Sequence, residues 1–498
     1  MASFFAIIKK MITQKYYPVH GLVSAEGFKM FAQRFNSGGD VSSWVKDGKV
    51  SVVGHVNMEG LEDWTPIGTE ERPFNLEFDG GFRNISYFKT SMPLFGVCKG
   101  ATIRSLTFSE TCSYVCDANF IDNVRLALLA GSISETTVTD CSSFASLKLD
   151  ASAVETGRMV YVGGLVGEAD ENSLIKDCSV EGGIVLSSTS KCQGGRLCVG
   201  GLVGYLSGDI SGCSSKMNIS DAMGVSEHNV GGVTGYLSAS GAITDCINSG
   251  NIVYTALRKV DEIDRFSDCI NLGGIVGYSE GELHRLENAG SIEINSDVRW
   301  QYVGGIAGMI KNSGKASALI NSAGKIDSYN KGQQLCLGGL IGCVNKVDLQ
   351  LDLSDVAGSV VDMKIKPTSS ELDAGGLIGR SYNRLEIKNP AWKGNISYDI
   401  STENSKLTAT FGGIVGRVNY LAIEGANVSG SISVKPNASF KNEGLSVYGG
   451  IAGRAETGAL LTACTSTCDI KWEGDCSRIN GNVCCLGGII ARIDQGVA

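Results

Sequence analysis

The sequence predicts an all-β fold, a parallel β-helix (β-solenoid) of about 11–12 rungs with a short N-terminal helical cap. Three observations lead to this prediction: a glycine-rich phrase that recurs about every 36 residues, an apolar–polar alternation after each copy, and abundant glycine with little proline. The 498 residues include 66 glycines and only seven prolines. Glycine is therefore about twice as frequent as its usual level of roughly 7%, while the scarcity of proline excludes a collagen-like chain.

The recurring phrase reads glycine-glycine-aliphatic-small or aliphatic-glycine. Its nine complete copies span residues 163–167, 200–204, 231–235, 273–277, 304–308, 338–342, 375–379, 412–416 and 449–453. Two degenerate copies end at Gly96 and Gly131, and a tenth begins at Gly487 but has Ala491 in place of its last glycine. Because the period covers most of the chain, the sequence favours one elongated repeat domain over several globular ones.

A second phrase begins about ten residues after the glycines, as in residues 175–184 and 243–252. Apolar residues alternate in it with polar ones, and turn-forming residues interrupt it, so it predicts short strands and not helices. A unit of this size cannot bury its apolar face alone, but a stack of such units can. We expect the glycines to let the backbone bend sharply, or let strand and turn pack closely, at one corner of every rung.

The 17 cysteines are an odd number in a long chain with its own core. Five of them stand six residues before an aliphatic residue of the second phrase: Cys141, Cys178, Cys213, Cys246 and Cys464. Other copies align Leu286, Ile320 or Ala426 with this site. Since cysteine alternates there with apolar residues, we predict an inward stack of free thiols. Disulfides between rungs, which need an oxidising compartment, are the alternative.

The N-terminal region predicts a cap for the solenoid. Ser24 is placed to cap a helix from Ala25 to about Asn36, with Gly38 ending it. The aromatic residues on one face of this helix are interpreted as core plugs: Phe28, Phe31 and Phe35. We divide the chain into a helical cap at residues 1–40, first strands leading into the solenoid at 41–95, and the repeat solenoid at 96–498.

The bulk charge and the ends of the chain restrict its partners. The net charge of −9 comes without any basic face, which argues against nucleic acid as a partner. The apolar run at residues 4–8 is too short to span a membrane, and lysines follow it where a signal peptide would have them first. The last phrase begins a rung that Ala498 leaves unfinished, so we expect self-association or continuation at this open edge.

The repeated glycine phrase resembles the GLUG motif of bacterial surface proteins and of some IgA-peptidase-related proteins. The segment before it, with residues 64–68 reading Trp-Thr-Pro-Ile-Gly and residues 74–80 ending in Phe-Asp-Gly, is similar to the region that precedes such repeats in Bacteroides-type surface proteins. Leu76 departs from that pattern, which has glycine there. The resemblance implies an exported protein of the extracellular space or outer cell surface of a gut-type bacterium.

Residues that could carry chemistry are few. The carboxylates Asp261, Glu262 and Asp264 lie in the insertion that lengthens one repeat step to 42 residues, and a charged, solvated loop is the favoured interpretation. The acidic turn at residues 168–172 lacks a calcium-loop pattern, and we interpret it as a solvated turn. His284 is expected to be a surface or structural histidine. No His-Glu-x-x-His motif occurs, and neither a metal site nor a cofactor is predicted.

These observations favour a non-enzymatic, adhesin-like β-solenoid of the cell surface. Its long faces would bind a glycan or protein of a host or a neighbouring cell. Two alternatives remain open at this point: a phage tail-spike or fibre component of the virion, and a polysaccharide lyase or hydrolase built on a β-helix.

Overall fold

The computed structural model describes residues 21–61, 63–120, 123–154, 158–188, 195–223, 226–255, 268–311, 315–322, 324–330, 332–346, 348–355, 358–366, 371–400, 407–436, 444–473 and 484–495. These residues form a parallel β-solenoid that begins with a single helix, which confirms the predicted fold class. Each rung crosses four strand positions in turn, and equivalent strands of successive rungs pair into ladders, which we name A to D. Among the described strands, the only antiparallel pair joins Val45–Lys46 to Lys49–Ser51, before the repeats begin.

Ladder A ends at the first glycine of each phrase, and ladder B begins after a turn of two residues. The strands of ladder A are Val124–Leu126, Met159–Gly163, Arg196–Gly200, Glu227–Gly231, Cys269–Gly273, Trp300–Gly304, Gln334–Gly338, Glu371–Gly375, Thr408–Gly412, Ser446–Gly449 and Cys484–Gly487. Those of ladder B are Phe95–Lys99, Ala130–Ser134, Val166–Ala169, Val203–Leu206, Thr234–Leu237, Val276–Ser279, Ala307–Lys311, Ile341–Asn345, Ile378–Lys388, Val415–Glu424, Ala452–Thr462 and Ile490–Ile493.

Ladders C and D complete the rung and correspond to the second phrase. Ladder C comprises Thr102–Phe108, Thr137–Thr139, Leu174–Lys176, Asp209–Ser211, Ala242–Asn248, Glu282–Asn288, Lys315–Asn321 and Leu349–Asp352, after which the long strands of ladder B supply it. Ladder D comprises Ser113–Phe120, Ser146–Val154, Ser179–Ser188, Ser214–Asp221, Ile252–Tyr254, Ile292–Ser296, Gly324–Asn330, Ser359–Ile365, Ala391–Ile400, Asn427–Pro436 and Asp469–Trp472, with the short strands Ser142–Ser143 and Thr465–Ser466 preceding two of them.

The phrase glycines serve close approach of backbones and not left-handed turns. None of the described phrase glycines has a positive φ. A Cβ added to Gly273 would lie 1.9 Å from the carbonyl oxygen of Val276, and one added to Gly277 would lie 2.5 Å from the backbone nitrogen of Val230. Of the two roles that the sequence left open for these glycines, close packing is therefore the one that the structure uses.

The left-handed turn lies instead immediately before the predicted cysteine site. Asp140, Asp177 and Asp245 have φ values of 52–55° (53°, 52° and 55°), and each precedes a cysteine of the stack. Aspartate tolerates this conformation better than most residues. The same turn occurs at Ala318, with φ 52°, and it directs Leu319 into the core.

The inward stack of free thiols is confirmed for Cys141, Cys178, Cys213 and Cys246, which are buried and form no disulfide, whereas Cys464 is only partly buried. Cys141, Cys178, Cys213 and Cys246 occupy four successive rungs, and the backbone N–H of Cys178 donates to Sγ of Cys213 at 3.3 Å. The stack continues through Leu286 and then Leu319, which are in register with Cys246. The alignment of Ile320 with this site was therefore wrong by one residue, because Leu319 lies seven residues and not six before Ile326, the in-register aliphatic residue of ladder D.

The N-terminal cap is confirmed as a helix that covers the first rung. The helix spans Ala25–Ser37; Oγ of Ser24 accepts from the N–H of Gly27 at 3.2 Å, and Gly38 ends it with φ 73°. Phe28 and Phe31 are fully buried and Phe35 is nearly so. The next strands, Val45–Lys46, Lys49–Ser51, Val56–Asn57, Glu77–Ser86 and Lys89–Thr90, join the same sheet as ladders B to D. The aromatic side chains of the helix thus plug one end of the solenoid core.

Length variation among the rungs is concentrated between ladders D and A. The turn from ladder A to ladder B is always two residues from Gly163 onwards. By contrast, the connection from D to A ranges from three residues between Ser296 and Trp300 to 14 residues between Tyr254 and Cys269. The 42-residue repeat step therefore arises at this one corner, and the three carboxylates considered above lie within it, outside the described residues.

Candidate functional site

Two columns of side chains meet on the outside of the glycine corner. Column A contains the middle outward residue of each ladder A strand, and column B contains the residue seven positions later, on ladder B. Column A is Arg125, Tyr161, Cys198, Asn229, Asn271, Tyr302, Cys336, Asp373, Thr410, Val447 and Cys485. Column B is Ser132, Glu168, Tyr205, Tyr236, Tyr278, Met309, Cys343, Arg380, Arg417, Arg454 and Arg492.

Column B lies over column A and buries it. The ion pair between Arg380 and Asp373, at 3.2 Å, shows how residues seven apart meet across the corner. From Tyr161 to Val447, every residue of column A is buried, although column A faces away from the solenoid interior. The third glycine of the phrase allows this burial, because a side chain there would collide with the backbone of ladder A. The outer corner is thus a second, narrow core with column B as its lid.

The first half of the lid is a row of stacked tyrosines. The ring centroids of Tyr205 and Tyr236 are 5.1 Å apart, those of Tyr236 and Tyr278 are 4.9 Å apart, and both pairs are inclined by only 12°. Tyr161 extends the row, with its centroid 5.0 Å from that of Tyr205. Tyr205 and Tyr236 are half-buried, so each presents an edge to solvent. The row therefore offers regularly spaced aromatic edges on a rigid ladder.

Polar groups line the floor beneath the tyrosines. Nδ2 of Asn271 donates to Oδ1 of Asn229 at 2.8 Å, and Nδ2 of Asn229 donates to Oε1 of Glu227 at 3.3 Å. Glu227 is also held by Arg196, at 2.9 Å. Oδ1 of Asn271 is buried without a hydrogen-bond partner in the described structure. An unsatisfied acceptor of this kind is uncommon in native proteins, so it marks this stretch of the floor as unusual.

The second half of the lid is a row of arginines in a network of carboxylates. Arg380, Arg417, Arg454 and Arg492 are in register on successive rungs. Arg417 contacts Glu371 at 2.6 Å and Glu456 at 2.5 Å. Asp494 contacts both Arg454 and Arg492 at 2.5 Å. Burial raises the pKa of Asp373 to about 6, although Arg380 opposes this shift. The arginine row is thus largely neutralised by groups of the chain itself.

The residues considered from the sequence lie elsewhere. Glu168 is in ladder B and pairs with Arg125, while Asp170 accepts from Oγ of Ser173 at 3.2 Å. His284 is in ladder C, where it hydrogen-bonds to Ser317 at 2.9 Å and Glu282 at 3.3 Å. In the part of the chain that the structure describes, no group of three histidine, cysteine or acidic side chains is arranged to hold a metal ion.

Sequence reasoning missed the two corner columns, although a signal for them exists. The residue after the last glycine of the phrase is tyrosine at residues 205, 236 and 278, and arginine at residues 380, 417 and 454. A run of one residue type at the same place in consecutive repeats indicates a shared role on one face. No helix of the described residues is long and apolar enough to cross a membrane.

Comparison with known proteins gives one structural neighbour and one curated relative. The solved structure of a proposed immunoglobulin A1 protease from Bacteroides ovatus aligns with 70% of this chain and 84% of its own, at 14% identity and a TM-score of 0.35. Halomucin from Haloquadratum walsbyi (strain DSM 16790 / HBSQ001) is 29% identical over 138 residues, which is 25% of this chain. The matched stretch is 1% of the length of Halomucin.

The family comparison addresses the repeats directly. The model of the GLUG motif matches residues 160–185 and 195–220. Each match begins in a strand of ladder A or one residue before it, crosses the glycine corner and ends in ladder D, so it spans one structural rung apart from most of the variable D–A connection. The same glycine register continues along ladder A to Gly487. The chain therefore contains GLUG-motif repeats, at residues 160–185 and 195–220.

Proposed function

We propose that this GLUG-repeat solenoid is a non-enzymatic, adhesin-like binding protein of the cell surface, whose ligand is a glycan or protein of a host or neighbouring cell. The observation that carries the proposal is the row of stacked tyrosines from Tyr161 to Tyr278. Tyrosine edges combine apolar area with a hydroxyl group, and such residues are favoured at recognition surfaces. A rigid ladder holds them, so little conformational entropy is lost when a ligand binds.

The connections from ladder D to ladder A, which vary most in length, support the side of the solenoid with columns A and B as the binding surface. Along the chain they lead into the strands that carry column A, and variable loops on a rigid scaffold are the usual way in which one fold serves different ligands. The arginine row contributes less to binding in this proposal, because its charges are already paired with Glu371, Glu456 and Asp494.

The test is binding of the purified chain to a glycan array and to intact cells, followed by affinity measurements on any ligand found. The double variant Tyr205→Phe/Tyr236→Phe keeps the ring stack but removes two hydroxyl groups. We expect about fivefold weaker binding per hydroxyl that contacts the ligand, since one hydrogen bond contributes about 1 kcal/mol. Tyr329→Phe, on ladder D, is the matched control and should bind as the wild type does.

Other outcomes separate the alternatives. Unchanged affinity in the double variant would place the ligand away from the tyrosine row. Absence of binding to any glycan or cell would reject the adhesin proposal. Release of reducing ends from a bound polysaccharide would instead indicate a lyase or hydrolase.

A further inference from the structure

We propose that Cys336 and Cys343 are a built-in oxidation site, at which the two thiols form a disulfide across the glycine corner when the chain meets a disulfide-bearing oxidant. The pair lies at equivalent places in columns A and B, seven residues apart, with the two-residue turn of the phrase between their strands. The bond would join ladder A to ladder B within a single rung.

The geometry brings the two sulfur atoms together. Both residues are fully buried and pack in one cluster at the corner, where burial and the neighbouring Cys343 thiol both raise the pKa of Cys336. In the next rung, the side chains at the same two places, Asp373 and Arg380, meet at 3.2 Å. In the preceding rung, Tyr302 and Met309 occupy them and pack in the same cluster as the two cysteines. The thiols are thus enclosed on both sides and held facing each other.

The inner cysteine stack has a different geometry. Cys178, Cys213 and their neighbours lie on adjacent strands of a parallel ladder, whose backbones are about 4.8 Å apart. Their Cβ atoms point in the same direction, so they keep roughly that separation, whereas a disulfide needs Cβ atoms about 3.5–4.5 Å apart. Each thiol also donates to a carbonyl of its own rung, as Cys178 does to Lys176 at 3.2 Å. Residues on strands that meet at a corner converge instead.

The arrangement is unusual within the chain. Columns A and B provide eleven such pairs from Arg125 to Arg492 in the described residues, and only one pair has cysteine at both places. Cys198 faces Tyr205, and Cys485 faces Arg492. Among the described corner pairs, Cys336 and Cys343 are therefore the one place where a disulfide can form across the corner.

The reaction balances with a small-molecule disulfide, such as oxidised glutathione, as the oxidant. The thiolate of one cysteine attacks this disulfide, forms a mixed disulfide and releases one small thiol. The second cysteine then attacks the mixed disulfide, forms the Cys336–Cys343 bond and releases the second small thiol. Two protons and two electrons leave the chain. Burial raises the pKa of Cys336, so the exchange is faster before the corner closes than in the folded protein.

The experiment compares full-length protein refolded in reduced glutathione alone with protein refolded in a mixture of oxidised and reduced glutathione. Each sample is unfolded in an alkylating agent, digested and analysed by mass spectrometry. We expect the oxidised sample to contain a peptide with Cys336 and Cys343 linked and two hydrogens lighter, while Cys178 and Cys213 are alkylated. The linked protein should melt at a higher temperature than its reduced form.

Variants and controls complete the test. Cys343→Ser should leave Cys336 alkylated and abolish the increase in melting temperature, and Cys343→Ala serves if the serine variant does not fold. Full alkylation of Cys336 and Cys343 in oxidised wild-type protein would overturn the proposal, as would a link between Cys178 and Cys213 of equal yield. A mass gain from a bound metal at this pair would also overturn it. No ligand is used, so the result is independent of the proposed binding function.

Discussion

Replacing Gly273 by alanine tests the role assigned to the phrase glycines. Gly273 ends a strand of ladder A, and its φ is not positive, so the backbone conformation itself is open to alanine. The added Cβ would lie 1.9 Å from the carbonyl oxygen of Val276 and 2.7 Å from that of Ile306. Both are backbone atoms, and no change of rotamer can relieve the contacts.

The expected loss of stability depends on which backbone segments must move apart to make room for the added methyl group. Overpacking by one methyl group costs about 1–3 kcal/mol when neighbours can adjust, and occasionally more. Here the adjustment must separate turns that are joined by backbone hydrogen bonds, such as Val276 N–H to Ile306 oxygen at 2.9 Å. Weakening one or two of these bonds adds about 1 kcal/mol each. We therefore expect Gly273→Ala to lower the free energy of unfolding by about 2–5 kcal/mol.

Gly54 provides the matched control. A Cβ there would meet no atom within 4 Å, and its φ is not positive. Gly54→Ala should be neutral or should stabilise the protein by up to about 1 kcal/mol, because it restricts only the unfolded chain. The two variants make the same chemical change, so their difference isolates the close approach of the backbones.

The assay must resolve local loss of structure, because a repeat array need not unfold in a single step. Urea unfolding followed by circular dichroism gives the overall change. Hydrogen exchange followed by mass spectrometry should show protection lost first in the peptides around Cys269–Gly273 and Val276–Ser279. If Gly273→Ala were as stable and as protected as Gly54→Ala, the glycine register would have no packing role, and the reasoning would be refuted.

Three further predictions address charge and packing. Burial raises the pKa of Asp221 to about 7, and His228 Nε2 lies 3.8 Å from its carboxylate. The folded state therefore keeps a proton that the unfolded chain releases near pH 4. As the pH rises from about 4 to 7, the free energy of unfolding should fall by a few kcal/mol. Unfolding free energies measured against pH should show a shallower fall in Asp221→Asn, and an unchanged slope would contradict this origin. Arg417→Gln should lower the free energy of unfolding, measured by denaturant titration, by about 1–3 kcal/mol, because Glu371 and Glu456 lose a shared cation. Lys435→Gln, which removes a cation from an ion pair that is about half exposed, should lower it by less than about 0.5 kcal/mol. Phe31→Ala should lower the free energy of unfolding by about 3–5 kcal/mol and increase hydrogen exchange in the cap earlier than in the repeats. Phe144→Ala, at an exposed side chain, should be close to neutral. Equal effects of the two substitutions would show that the cap does not depend on the buried Phe31 ring.

Much of the fold could be predicted from the sequence because the repeat restricts it. The helix limits, the glycine register and the inward cysteines follow from local patterns, since capping residues and alternation act over a few positions. The misplacement of Ile320 shows the limit of this reasoning. Alignment by the following aliphatic residue assumes a constant spacing, which is one residue longer in this rung, and only the left-handed turn at Ala318 identifies Leu319 as the inward residue. Alanine is not a residue whose presence signals that conformation.

The sequence by itself determined the class of fold, the glycine register of the repeats and most residues of the inner core, because these depend on short-range periodicity. Only the tertiary structure decided what the outside of the glycine corner does. Ladders A and B fold against each other there, so residues seven apart become contacts, and Asn229, Asn271 and Cys336 are buried although their strand positions face outward. That burial requires two backbones to approach more closely than a Cβ would permit, a property of the folded corner that no alternation along one strand reveals.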